Sequence, residues 1–418
     1  MRHSVIDSLE ETLPMRHRYI VAGSVLVDML GYGLIMPLLP FMVQAWSGDA
    51  TIVGLLGSLY AAMQLLVAPL VGTISDRIGR RPVILGCLFG SSVAYLGLAL
   101  ANSLPMLALA IAISGAAGSS MPVAQAYIAD VTGPDDRARG LGLLGAAFGL
   151  GLIGGAAMGG FLSQYSLALP PLLAAGIAFL NALYATIALP ESLPPARRRS
   201  HPIRFHNWLA PALTALQLPT VRPLLIAVTL LNLAFSGLQS NVALFTLTRF
   251  GWGPAQNALL FVFVGLCAAF TQGVLVGRLQ PRFSEAGLAG GGLGLMALSF
   301  AFVGLIQQSG WMLFPPAALL AIGMGLAVPA ITSLVSLRAG SGRQGAVLGG
   351  MQALISLALL LGPAGFGISF DYFGPTAPYL GSSVLLTGAW LISLIALARP
   401  TPSPPRMFRS SEDSEALS

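Results

Sequence analysis

Twelve stretches of mostly apolar residues run through this chain, near 19–41, 52–74, 82–101, 105–127, 139–162 and 169–189, then 223–247, 256–277, 286–307, 312–335, 345–368 and 376–398. A helix crosses the hydrocarbon core of a bilayer in about 20 such residues. Hydrocarbon offers no partner to a backbone N–H or C=O, so each stretch is expected to fold as a helix that satisfies its own backbone. Composition points the same way. Of 418 residues, 55 % are hydrophobic and 9 % charged, whereas a soluble domain carries about 25 % charged residues. So few charges cannot solvate the surface of a water-soluble globule. Their scarcity also excludes a nucleic-acid binder, which needs a basic stripe to neutralise phosphates.

The placement of the charges orients the spans. Every cation is an arginine, and lysine is absent. With the N-terminus inside, twenty of the 21 arginines fall in cytoplasmic segments and only Arg249 faces outward. The positive-inside rule then places both termini in the cytoplasm; the expected location is the cytoplasmic (inner) membrane, as a multi-pass protein. Residues 1–18 mix arginines with Asp7, Glu10 and Glu11 and read as a cytoplasmic tail. The apolar run after them is too long for the core of a signal peptide, so the first span is expected to stay.

The longest interruption, 190–222, carries Pro194, Pro195, Arg197–Arg199 and Pro202 and reads as a cytoplasmic interdomain loop between bundles at 19–189 and 223–398. At an offset of 207, Gly118 and Pro122 match Gly325 and Pro329; at 205, Gly145 and Gly160 match Gly350 and Gly365. The expected fold is all-α, with twelve transmembrane helices in two six-helix bundles related by a pseudo-two-fold axis, as in transporters whose halves rock about a central site. The tail 399–418 has the composition of a disordered segment.

Little here can do covalent chemistry. Two GxGxxG strings at Gly140–Gly145 and Gly149–Gly154 lack the preceding strand and following acid of a dinucleotide fold. The glycines Gly145, Gly149, Gly151, Gly155 and Gly159 fit small-residue helix packing better. Without lysine no phosphate-binding loop of the Walker type exists, and all four histidines lie in cytoplasmic segments. Cys87 and Cys267 sit alone in apolar stretches and read as core residues. No enzyme activity, cofactor, metal site or nucleic-acid partner is expected.

One ionisable residue stands inside the spans away from their ends: Asp28. A carboxylate at membrane depth costs about 2.5–3.5 kcal/mol on insertion scales, so it normally lines a cavity and has a function. Burial disfavours the charged form of a carboxylate, which suits a group that gains and loses a proton. Asp28 is therefore the candidate proton carrier. It could instead meet a cationic substrate, or act as a hydrogen-bonded anchor of the first helix. Tyr32, Tyr60, Gln64, Gln125, Phe235 and Gln239 are the candidate cavity residues. A mostly apolar cavity with a few polar groups suits a lipophilic small molecule.

The segment from Gly72 through Asp76, Arg77, Gly79, Arg80 and Arg81 to Pro82 resembles the signature loop G-x-x-x-D-R-x-G-R-R of the major facilitator superfamily. The run from Asp28 to Pro40 resembles the first helix of drug:proton antiporters. The stretch from Pro122 through Gln125, Tyr127 and Asp130 to Arg139 is similar to the end of the fourth span in the tetracycline-efflux group. The resemblance implies a monomeric secondary transporter working by alternating access and exporting hydrophobic, tetracycline-like molecules in exchange for protons. It implies a latch of Gly72, Asp76, Arg77, Gly79, Arg80 and Arg81, with Asp130 and Arg139 as partners, that holds the halves together on the cytoplasmic side. Two positions depart from the antiporter pattern: Ile111 stands where an arginine is usual, and Ala156 where a proline is usual. The alternatives are a proton-independent facilitator or uptake carrier, and a non-transporting scaffold of the same fold.

Overall fold

The computed structural model describes residues 2–44, 46, 48–133, 136–198, 210–340 and 342–397. The tail 399–418 and the middle of the 190–222 connection lie outside the described residues. Among these residues, twelve helices are long and apolar enough to span a membrane. In the first half they are α1 His17–Gln44, α2 Ala50–Ile78, α3 Arg80–Ala99, α4 Leu104–Val131, α5 Arg139–Leu162 and α6 Leu169–Ala188. In the second they are α7 Arg222–Phe250, α8 Pro254–Leu279, α9 Glu285–Leu305, α10 Gly310–Ala339, α11 Gln344–Phe373 and α12 Ala377–Ile395. Their ends fall within five residues of the expected windows, and no strand occurs among the described residues. The expected tail at 1–18 is helical from Arg2 and runs unbroken into α1.

Local sequence explains where helices start and bend. Pro105, Pro170, Pro223, Pro254 and Pro315 occupy the first two positions of α4, α6, α7, α8 and the regular part of α10. There a missing N–H costs nothing, because the first N–H groups of a helix have no partner within it. Tight 3₁₀ turns interrupt α1 at Met36–Leu38, over Pro37, and α4 at Gly118–Ser120, just before Pro122. Helix α8 carries a π turn at Thr271–Leu275.

Glycine decides which helices come closest. In α5, Gly151, Gly155 and Gly159 lie four apart and face α1, so that a Cβ on any of them would strike the backbone of Leu26, Leu30 or Leu34. Cβ atoms on Gly145 and Gly149 would meet nothing within 4 Å. The packing stripe is therefore the last three glycines of the five. Gly292 of α9 and Gly323 of α10 approach each other in the same way in the second half.

The halves repeat one plan. Gly118 of α4 lies against Tyr60 and Gln64 of α2, while Gly325 of α10 lies against Thr271 and Gln272 of α8. Gly118 and Gly325 are 207 apart in sequence, and so are Gln64 and Thr271. Between the halves, α2 packs on α11 and α5 on α8. A shift of six spans carries α2 to α8 and α11 to α5, so these two seams are one contact made twice. Both are tight on the face opposite the arginine clusters. Gly54 meets Pro363, Gly367 meets Ala50, and Gly160 meets Ala258 and Pro254.

Candidate functional site

Asp28 sits on α1, 4 % exposed. Its Oδ1 accepts a hydrogen bond from the Ser91 hydroxyl of α3 at 3.1 Å. Its Oδ2 accepts one from the Ser120 hydroxyl, in the 3₁₀ turn of α4, at 3.3 Å. The turn at Gly118–Ser120 thus places a donor at the acid. Ile111, where the antiporter pattern has an arginine, is 2 % exposed and lines an apolar gap with Tyr32, Tyr60, Tyr95 and Ser114. Two neutral hydroxyls, from two different helices, bond the carboxylate.

One helical turn beyond Asp28, Tyr32 reaches a cavity of about 120 Å³ built by both halves. Helices α1 and α2 contribute Tyr32, Met36, Tyr60 and Gln64, and α7 and α11 contribute Ser236, Gln239, Ser240 and Pro363. The Tyr32 and Tyr60 rings pack 5.5 Å apart at a tilt of 44°. Gln64 donates through Nε2 to the Gly118 carbonyl at 3.2 Å, which satisfies part of its amide and fixes its orientation. Of the six residues expected at the cavity, Tyr32, Tyr60, Gln64 and Gln239 line it together. Phe235 is half-buried beside Ser236 on α7, and Gln125 is exposed on α4; neither joins that lining. The lining residues carry aromatic rings, amides, hydroxyls and apolar groups but no formal charge.

The motif at 72–82 forms a charged cluster where α2 turns into α3. Arg80 pairs with Asp76 at 2.6 Å and through Nε with Asp130 at 3.2 Å, and it also donates to the Ser75 hydroxyl. Gly79 makes the turn at φ +111°, and a Cβ there would strike the Glu191 carboxylate. Arg81 donates to the Thr186 carbonyl. Arg77 is half-buried, and Gly72 accepts from the Ser75 hydroxyl at 2.7 Å. Arg139 stands apart, 83 % exposed and 3.8 Å from Asp136. Among the described residues, the partners of this cluster belong to the first half or, like Glu191, lie just past it.

Three groups of residues escape a reading of sequence alone. Ser91 and Ser120 look like any small residue in a span. Glu191, just past α6, accepts from the backbone N–H groups of Arg80 and Arg81 at 2.8 and 3.2 Å, and so caps α3. The available signal was an acid next to a span on the arginine-rich side. Asp371 on α11 accepts from the start of α2, a contact across 320 residues that no local pattern announces.

Residues 21–363 match the family model of the Major Facilitator Superfamily. The chain is 34 % identical over 389 residues to the class C tetracycline resistance protein of Escherichia coli, covering 91 % of this chain and 96 % of that protein. It is 35 % identical to the class D tetracycline resistance protein of Salmonella ordonez, covering 88 % and 93 %. The crystal structure of the human organic anion transporter MFSD10 (TETRAN) superimposes with a TM-score of 0.69 at 27 % identity, over 91 % of this chain and 99 % of that one. Twelve spans in two equivalent halves, a cavity shared between them and these likenesses lead to one assignment: the chain belongs to the major facilitator superfamily and is a multi-pass membrane transporter, not an enzyme.

Proposed function

We propose that the protein exports lipophilic, tetracycline-like small molecules across the cytoplasmic membrane in exchange for protons, acting as a monomer with both termini in the cytoplasm. The observation that carries this reading is Asp28, the single acid at membrane depth, buried one helical turn from the Tyr32 that lines the cavity. A carboxylate in that position is costly unless it works. The uncharged cavity favours a ligand that brings rings and hydrogen-bonding groups rather than a fixed charge. The named relatives, tetracycline resistance proteins, supply the substrate class.

In the same reading, the Asp76–Arg80–Asp130 cluster docks on the second half when the arginine-rich face closes and is released when it opens, a local electrostatic switch on a two-state element. Here the seams are tight on the opposite face, so the cluster satisfies its charges within its own half.

Ile111 and Ala156 favour one competing reading, facilitation without protons. Inverted membrane vesicles separate the two. Under exchange, adding tetracycline dissipates part of a preformed pH gradient; under facilitation, tetracycline crosses and the gradient is untouched. A panel of tetracyclines, cationic dyes and phenicols, scored for resistance on expression, tests the substrate class, and protection against the dyes alone would overturn it.

A further inference from the structure

Asp371 lies near the end of α11, on the face opposite the arginines, and its carboxylate reaches across the seam to the other half. Oδ1 accepts from the Ala50 N–H at 3.1 Å, and Oδ2 accepts from the Thr51 N–H at 2.8 Å and the Thr51 hydroxyl at 2.6 Å. Ala50 and Thr51 are the first two residues of α2, so their N–H groups are among the four that a helix leaves without a partner at its start. That end of a helix also favours negative charge.

The residue placed to cap α2 within its own chain segment is Asp49. It has the extended backbone of an N-cap, φ −78° and ψ 131°, and an acceptor side chain, yet that side chain makes no capping bond. Aspartate is among the strongest N-cap residues. Its work is being done by Asp371, from the opposite half.

We propose that Asp371 is the latch of the outer gate and that Asp49 is its competitor: α2 is capped by Asp371 when this face is closed and by Asp49 when it is open. The N–H of Thr51, the second residue of the helix and the one an N-cap side chain reaches, then keeps a carboxylate partner in both states, and only the identity of that partner changes. Such an exchange lets the gate part without leaving the helix start bare. The surrounding seam fits a contact made in one state only. Gly54 and Gly367 bring the two backbones together around Pro363 and Ala50, and the Ala364 N–H donates to the Ser58 hydroxyl at 3.1 Å. Moving the halves apart on this face breaks all of these at once, whereas Asp49 moves with α2. Asp371 is thus a positioning residue for the transport cycle, and its role is independent of the substrate and of the coupling ion.

The test places a reporter cysteine at Ala61, in the cavity, in the full chain with Cys87 and Cys267 replaced by serine. An impermeant maleimide is applied to intact cells and to inverted vesicles, and labelling is scored from the face opposite the arginines. Asp371→Ala should raise the labelling rate about three- to tenfold, the range set by the loss of one helix cap. Thr51→Ala should raise it less, and Asp371→Glu should restore most of the wild-type rate. Asp49→Ala should lower it, because the open state then has no cap. A side chain that merely stabilised the fold would not give opposite signs at the two aspartates. Wild-type labelling in a monodisperse Asp371→Ala variant would overturn the proposal, as would a shift of the same sign in Asp49→Ala. If Asp371→Ala does not fold, Thr51→Ala and Asp49→Ala carry the same contrast.

Discussion

At the scale of single residues, a few positions are constrained by geometry that the side chain itself does not disclose. Gly79 turns α2 into α3 at φ +111° with the Glu191 carboxylate standing where a Cβ would lie. Replacing it by alanine adds left-handed strain and a clash, a loss of about 1–3 kcal/mol; the purified protein should melt several degrees lower. Glu191→Ala should also lower the melting temperature, since it uncaps two N–H groups of α3 at about 1 kcal/mol, whereas Gly72→Ala, with open space around it, should be neutral. Much of the site was legible because rarity singles residues out. One acid in the spans pointed to Asp28, and aromatic and amide residues gave six cavity candidates, of which Tyr32, Tyr60, Gln64 and Gln239 line the cavity while Phe235 and Gln125 do not. Ser91 and Ser120 were not legible, since serine is unremarkable in a span and only the fold brings two of them to one carboxylate.

At the scale of helices, length and apolarity fixed the elements, and glycine spacing fixed their neighbours only in part. Five glycines of α5 made a plausible packing stripe, but the structure uses Gly151, Gly155 and Gly159 and leaves Gly145 and Gly149 free. The reason lies at the far end of the helix pair. Helices α1 and α5 converge where Gly33 and Gly155 meet, and a sequence shows no convergence angle. The distinction can be measured. Gly155→Leu drives a side chain into the Leu30 backbone and should cost about 3 kcal/mol or more, because backbone yields less than a repacking side chain; the folded yield from membranes should fall sharply. Gly149→Ala should express and melt as wild type. A uniform loss at both positions would mean that the whole stripe is packed.

At the scale of the molecule, arginine placement and the 190–222 interruption divide the chain into the halves that the fold displays, and the 207-residue offset reappears as equivalent contacts at Gly118 and Gly325. The seams between the halves were not legible, because α2 and α11 meet across some 300 residues with no complementary charge pattern to mark them. On the face opposite the arginines, the two halves meet backbone to backbone at Gly54 and Pro363. Gly54→Leu should therefore hold that face open and stop transport while leaving the protein folded, seen as raised labelling of a cavity cysteine and lost drug flux. The central claim is that one buried acid couples the rocking of these halves to a proton. It is tested most directly by tetracycline uptake into inverted vesicles driven by an imposed acid-inside gradient, comparing wild type with Asp28→Asn. The account predicts that the variant, equally abundant in the membrane, loses gradient-driven uptake to the level of empty vesicles; uptake at the wild-type rate in that variant would contradict it.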